Sequence, residues 1–398
     1  MISRDEYLNK LVRFKDKDLI KVVTGIRRCG KSTLFEIYQK YLLNNGVDCE
    51  HIIKINLEDI EYHEILDDYL KLYKEVMKNV KDDGKYYVFL DEVQRVDSFQ
   101  KACDGLYIKK NIDLYITGSN SNLLSGELAT LLSGRYIEIK MLPLSFKEFV
   151  GFYGEDNNIE RLYQKYISFG SFPYIVNFDN LDDVEIYIKG IYDSIVVNDI
   201  LDRKKYPDLG MLKSVINFML DNIGNMTSTN KIADTMTSNG RSISVHTVES
   251  YIESLLECFT FYKSSRYDIR GKQYLKTGDK YYVADPGLRY ILLGRRQGDR
   301  GHILENIVYL ELLRRGYDVF VGKVDELEVD FVAINSKGIE YYQIAETTRD
   351  DNTLNRELKS LQSIKDNFPK YILTMDIEPE TTYDGIIKKN VLDWLLEK

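Results

Sequence analysis

Apolar positions along the chain switch between short continuous runs and stripes at helical spacing. The first switch is IKVVT, Ile20–Thr24, followed by residues 33–43, where Leu34, Ile37, Tyr38, Tyr41 and Leu42 line one face. The run predicts a strand and the stripe a helix. Residues 86–90, YYVFL, are apolar on both faces, which predicts a buried parallel strand. Residues 113–117 and 136–140 predict two more strands. A polar stretch at residues 154–158 ends this alternation, and helices are predicted over 161–169, 183–197 and 209–223. Two further helical segments, 227–237 and 245–258, flank the turn Asn239-Gly240, the second with Val248, Ile252, Leu255 and Leu256 as its stripe. Strand-like segments 259–266 and 280–283 bracket the polar sequence DIRGKQYLKTGD. The last hundred residues predict a helix at 303–315, strands at 317–321, 328–334 and 339–345, a helix at 354–366 and a strand at 371–374.

Between the first strand and the first helix lies TGIRRCGKST, which meets G-x-x-x-x-G-K-[ST] through Gly25, Gly30, Lys31 and Ser32. A chance match in a chain of this length arises roughly once in 100, and the strand, loop, helix order is the context the motif requires. The glycines let backbone N–H groups turn onto phosphates, and the helix N-terminus adds partial positive charge. The whole loop, Gly25, Ile26, Arg27, Arg28, Cys29, Gly30, Lys31, Ser32 and Thr33, is therefore the candidate binding segment for ATP. Lys31 is expected on the β- and γ-phosphates and Ser32 on Mg²⁺.

Hydrolysis needs carboxylates at the same rim. The strand at 86–90 ends in Asp91 and Glu92, which assigns Asp91 to the Mg²⁺ shell and Glu92 to the attacking water. The strand at 113–117 ends in Gly118, Ser119 and Asn120, short polar groups suited to sensing the γ-phosphate. Arg135, before the strand at 136–140, is the candidate arginine finger, in its own or a neighbouring subunit. The alternative for Arg135 is a surface arginine. Cys29 beside Lys31 raises the question of an acidified thiol; the plainer reading is that this loop position accepts many residues.

GIRRCGKS, FLDEVQ, ITGSNS and LLSGRYIEIKMLPLSFKEF, in this order within about 125 residues, resemble the AAA-type ATPases of bacteria and archaea that carry a C-terminal domain of unknown function. The resemblance spans nearly the whole chain and is specific at these four motifs. It implies an α/β fold: a P-loop NTPase parallel sheet with the strand ending at Thr117 between the other two, then a helical lid and winged-helix region, then a C-terminal α/β nuclease-like domain. The corresponding divisions are 1–155, 156–222, 223–296 and 297–398.

The winged-helix expectation puts Ser242, Ser244, His246 and Thr247 at the start of a recognition helix and Arg270, Lys272 and Lys276 on a wing. Glu249, Glu253 and Glu257 make that helix acidic, so protein docking stands beside DNA contact. Asp199 and Arg203 read as an i,i+4 helix-face pair. In the last segment, Glu305 and Asp330 match two positions of the PD-(D/E)XK nuclease fold, which gathers Mg²⁺ with a helical Glu, a strand Asp and an acid-x-Lys pair. The third position reads Gln343-Ile344-Ala345, an amide and a methyl group where acid and lysine belong. Alternation puts Gln343 and Ala345 on one face and Glu346 on the other, so Glu346 does not replace the acid. The expected state is a retained scaffold without nuclease activity.

Charge and composition narrow the partners. With 63 acidic against 54 basic residues and a formal charge of −9, indiscriminate nucleic-acid binding is excluded, because phosphate neutralisation drives it; a local basic face remains open. No uncharged run is longer than the 13 residues from Tyr166 to Phe178, which is short of the roughly 18 to 20 apolar residues a bilayer span needs. MISRDEYLNK has no secretory apolar core, and the four cysteines show no ligand spacing. A cytoplasmic protein with reduced thiols is expected. ATP and Mg²⁺, a DNA or protein partner through the C-terminal modules, no membrane, and scope for a homo-oligomer complete the reading. The leading function is ATP hydrolysis that repositions those modules; the alternatives are a nucleotide-gated DNA-binding regulator and an ATP-controlled nuclease.

Overall fold

The computed structural model describes residues 2–121, 132, 134–154, 158–201, 208–275, 278–294 and 299–397. Arg203 and Lys276 lie outside them. The chain divides into two compact units, residues 1–143 with 257–259, and residues 144–256 with 260–398.

The first unit is built on β1 (Ile20–Thr24), β2 (Ile52–Asn56), β3 (Tyr86–Asp91), β4 (Ile112–Gly118) and β5 (Tyr136–Lys140). They form one sheet in the order β2-β3-β4-β1-β5, every neighbouring pair parallel. The strand ending at the Thr117 region stands between the other two, as the resemblance implies. All residues of β1 and β4 are buried, while the edge strands β2 and β5 mix buried with more exposed positions. The centre of the sheet is thus covered on both faces, and its strands are mainly apolar there. The exceptions carry charge and are satisfied. Lys21, buried in β1, pairs with Asp113 of β4, whose carboxylate also accepts Tyr115 Oη at 2.7 Å and the Asp16 N–H at 2.9 Å. Such a set is what makes a buried charge tolerable. Because the strands are parallel, their C-terminal ends share one edge, and the loop after β1 and the acids after β3 emerge there.

The second unit begins with helices Phe146–Tyr153, Ile159–Phe169 and Leu181–Ser194. Phe146 starts behind a reciprocal cap in which Ser145 and Glu148 bond each other's backbone N–H. Gly287 is required here: a Cβ on it would lie 2.7 Å from the backbone nitrogen of Gly170. Helices Leu209–Asp221, Thr229–Ser238 and Val245–Glu257 follow, then β6 (Phe261–Ser264), β7 (Arg266–Asp268), β8 (Gln273–Tyr274) and β9 (Lys280–Val283). β6 pairs antiparallel with β9, and Thr227 bridges to Asp279. β10 (Asp318–Val324), β11 (Leu327–Asn335), β12 (Gly338–Ala345), β13 (Lys370–Thr374), β14 (Thr381–Tyr383) and β15 (Ile386–Asn390) build a mixed sheet in the order β14-β15-β13-β12-β11-β10-β7-β8.

The segment carrying Arg270 and Lys272 thus belongs to this large sheet. β7 runs parallel to β10, with Val321 beside Arg266, and Arg270 pairs with Asp325. Leu358 and Leu361 of helix Asp351–Gln362 pack with Val332, Tyr341 and Ile372 in the core of this sheet. No helix among the described residues is long and apolar enough to cross a membrane.

Candidate functional site

The loop after β1 turns on residues with positive φ. Arg28 has φ 67° and Gly30 φ 102°, on either side of Cys29. Left-handed residues so placed aim successive N–H groups into one concavity. Gly25 cannot carry a side chain, since a Cβ there would meet the Met141 carbonyl oxygen at 2.1 Å. Helix Lys31–Asn44 then starts with no side-chain cap at Gly30, which leaves its first N–H groups available to an anion.

Lys31 is buried and its ammonium donates to the Gly25 carbonyl at 3.0 Å, with Glu92 Oε1 at 3.5 Å. Ser32 is exposed, and its hydroxyl is near enough to Asp91 to favour the ionised carboxylate. Asp91 ends β3, where Thr117 Oγ1 donates to its carboxylate. Burial raises the Asp91 pKa, and the Ser32 and Thr117 hydroxyls oppose that rise. A hydroxyl and a carboxylate side by side are the hard oxygen donors Mg²⁺ takes, so the residues present fit that ion.

Glu92 follows with φ 53°, a left-handed conformation that non-glycine residues adopt only when their surroundings hold it. Here the Thr117 hydroxyl accepts the Glu92 N–H at 2.8 Å. The carboxylate takes bonds from Gln94 Nε2 and, at 3.1 Å, from Ser119 Oγ. Burial pushes the Glu92 pKa up, but Lys31, Gln94 and Arg27 hold it below the usual value. The group stays ionised.

The structure therefore brings Gly25, Ile26, Arg27, Arg28, Cys29, Gly30, Lys31, Ser32 and Thr33 to one edge of the sheet with Asp91, Glu92 and Ser119. Arg27 pairs with Glu58 at 3.1 Å and Arg28 is exposed. Asn120 follows Ser119 and is buried. Cys29 is buried, and burial raises its thiol pKa despite Lys31, so of the two readings of this position the acidified thiol is the one set aside.

Arg135 is not brought to the site. Its carbonyl accepts the Ile20 N–H at 2.8 Å, at the opposite end of β1 from the loop. At ~3.3 Å per residue, a strand of this length separates the two ends by more than ~13 Å. Its guanidinium bonds Asp104 at 2.6 Å and lies over the Tyr107 ring.

Three residues that build the site carried no signal of their own. Thr117 and Gln94 lie within ITGSNS and FLDEVQ but have no role assigned there, and only the fold turns them onto Asp91 and Glu92. Arg4, buried near the N-terminus, bonds the Cys29 carbonyl at 3.3 Å and the Leu142 carbonyl. It holds the back of the loop from 25 residues upstream in sequence.

Comparison with known proteins agrees with this geometry. Residues 17–150 match the family described as AAA domain, and residues 160–299 match a domain of unknown function, DUF8612. A Haemophilus influenzae relative, described as an uncharacterized protein, is 45% identical over 402 residues, covering 100% of this chain and 99% of that one. The uncharacterized protein MJ1544 of Methanocaldococcus jannaschii is 30% identical, covering 87% of this chain and 79% of its own. Among solved structures, the Aeropyrum pernix ORC1 protein in complex with DNA overlaps 73% of this chain and 92% of its own at TM-score 0.32 and 13% identity. AMPPCP-bound DnaA from Aquifex aeolicus overlaps 63% of this chain and 86% of its own at TM-score 0.29 and 13% identity. Overlaps that slight do not bear on substrate or partner.

Proposed function

We propose that this chain, which belongs to one family with the H. influenzae and M. jannaschii proteins and carries an AAA domain in its first 150 residues, is a Mg²⁺-dependent ATPase. Its nucleotide cycle repositions the modules of residues 144–398 on a nucleic-acid or protein partner. The observation that carries the reading is the meeting of Lys31, Ser32, Asp91 and Glu92, remote in sequence, at one edge of a parallel sheet.

The loop N–H groups and Lys31 bind and orient the triphosphate. Ser32 and Asp91 are the residues that would hold Mg²⁺, which supplies charge neutralisation at the phosphates. Glu92, ionised and fixed by Gln94 and Ser119, orients the attacking water and takes its proton. Ser119, bonded to Glu92, is placed to couple the state of the terminal phosphate to that carboxylate. Arg135 has its role only toward a neighbouring subunit. Phosphate release by wild type, Lys31→Ala and Glu92→Gln tests the reading: wild type should turn over ATP and both variants should fall to background. Equal rates in all three would rule it out.

A second reading, a nucleotide-gated DNA-binding regulator, is supported by the order of helices 209–221, 229–238 and 245–257 with the β6/β9 pair, and by exposed Ser244 and His246. Duplex binding with and without ATP at two salt concentrations tests it, since phosphate contacts weaken as salt rises. No binding at low salt in either state abandons it.

A further inference from the structure

The residues that resemble a nuclease's metal-gathering set are joined by a cation from outside that set. Glu305, on helix Arg300–Arg314, accepts Lys280 Nζ at 3.0 Å and Tyr282 Oη at 2.7 Å. The same ammonium lies 2.7 Å from Glu328 Oε1. Lys280 opens β9, a strand outside the large sheet, and its side chain is 6% exposed.

The remaining positions are committed in the same way. Asp330 accepts the Ile344 N–H at 2.8 Å. Gln343, at the place of the missing acid, is bonded at both ends of its amide: Oε1 accepts the Asp330 N–H at 2.7 Å and Nε2 donates to Glu357 at 2.6 Å. Glu357 is further bonded by the guanidinium of Arg356, at 3.0 and 2.7 Å. Among the described residues, no group of three or more His, Cys, Asp or Glu is arranged to hold a metal. The residues present therefore do not fit the Mg²⁺ that the nuclease resemblance implies.

We propose that the Lys280 ammonium occupies the cation position of this cluster, so that the module is fixed by an internal ion in place of a divalent metal. An ammonium satisfies Glu305 and Glu328 through directed N–H bonds at 2.7 to 3.0 Å, whereas Mg²⁺ draws oxygens to about 2.1 Å. The carboxylates are thus set at an ammonium's spacing. The ion is also covalently part of β9, so it cannot exchange with solvent, and it ties β9 to helix Arg300–Arg314 and to β11. A divalent metal would have to displace this ammonium to reach the same carboxylate oxygens. Nucleic-acid cleavage at this cluster is lost with the metal. This inference is independent of the ATPase reading.

The test is a Mn²⁺ titration of the full chain without nucleotide, followed by electron paramagnetic resonance and by thermal unfolding, with a parallel Mn²⁺ cleavage assay on DNA and RNA. Wild type and Asp330→Asn should give the same binding curve and no cleavage. Lys280→Met should gain a Mn²⁺ site at least ~10-fold tighter than any that wild type shows in this module, and Mn²⁺ should raise its unfolding temperature. Adding Glu305→Gln to Lys280→Met should abolish that site and restore folding without metal, because no unpaired buried charge is left. Mn²⁺ binding or cleavage in wild type that Asp330→Asn removes overturns the proposal. So does a Lys280→Met protein that Mn²⁺ neither binds nor stabilises, whether it folds or not.

Discussion

The ammonium of Lys31 stands 3.5 Å from Glu92 Oε1, while the other carboxylate oxygen of Glu92 is bonded by Gln94 and Ser119. The residue proposed to bind phosphate and the residue proposed to activate water are thus partners of each other. A phosphate that draws Lys31 toward itself releases part of Glu92, and the carboxylate is then held by Gln94 and Ser119 alone.

Glu92→Gln should therefore separate binding from turnover. Neutralising position 92 removes an attraction that competes for Lys31, so ATP should bind a few-fold more tightly. Hydrolysis should fall by about 10² to 10⁴, the usual contribution of a positioned general base. Lys31→Ala should weaken binding by roughly 10- to 100-fold, the value of charge-assisted hydrogen bonds. Equilibrium titration with a fluorescent ATP analogue, beside phosphate release, checks both. Equal loss of affinity in the two variants would contradict the competition.

Gln94→Ala should lower the hydrolysis rate with little change in ATP affinity, because Gln94 bonds Glu92 and not the loop. Gln94→Glu should lower it further, since a second carboxylate beside Glu92 raises the cost of keeping both ionised. Steady-state kinetics decide: a change confined to KM would show that Gln94 acts on binding instead.

Arg135 tests the subunit question directly. Its place at the far end of β1, bonded to Asp104, means that any role in hydrolysis would have to be played on a neighbouring chain's triphosphate. Mixing Arg135→Ala with Lys31→Ala should then restore hydrolysis, because one chain brings an intact loop and the other an intact arginine. Turnover per chain should also rise with protein concentration. A mixture no more active than its components reduces Arg135 to its pairing with Asp104.

Those residues differ in how far the chain announces them. β1, β5 and β9 run over the residues their hydrophobic pattern predicts, and the loop and the Asp91-Glu92 pair are legible because phosphate and metal chemistry dictate residue type at fixed spacing. β2 was not legible: it is an edge strand of alternating residues with no motif beside it. β7 and β8 have three and two residues, too few for a period to register, so their union with the large sheet depends on β10, some 50 residues on. Lys280 reads as the polar start of an apolar strand. Its meaning comes from Glu305 and Glu328, which only tertiary structure brings to it.

Thiol chemistry gives a further check on the loop. Of the four cysteines, Cys49 is exposed while Cys29, Cys103 and Cys258 are buried. Burial keeps the Cys29 thiol protonated and out of reach. Brief treatment of the native chain with N-ethylmaleimide should label Cys49 alone, and unfolding should expose all four. Rapid labelling of Cys29 in the native chain, read by peptide mass, would contradict the loop geometry.

Asp330 ties stability to pH in the second unit. Burial and the neighbouring Glu305 charge push its pKa up to about 8, opposed by Lys280 and the Ile344 N–H, with Glu357 adding to the rise. In the unfolded chain the value is about 3.9. The folded state therefore keeps a proton that the unfolded state has lost, and the unfolded state binds fewer protons between those two values. Stability from this group is full below about pH 4, declines as pH rises, and is gone above about pH 8. Asp330→Asn cannot ionise and should flatten that decline. Trp394 is the chain's single tryptophan and is buried in this unit, so its fluorescence during urea unfolding reports this unit at each pH. Wild type should lose stability relative to Asp330→Asn as pH is raised from about 5 to about 8. Parallel curves for the two proteins would show that Asp330 is already ionised in the folded cluster.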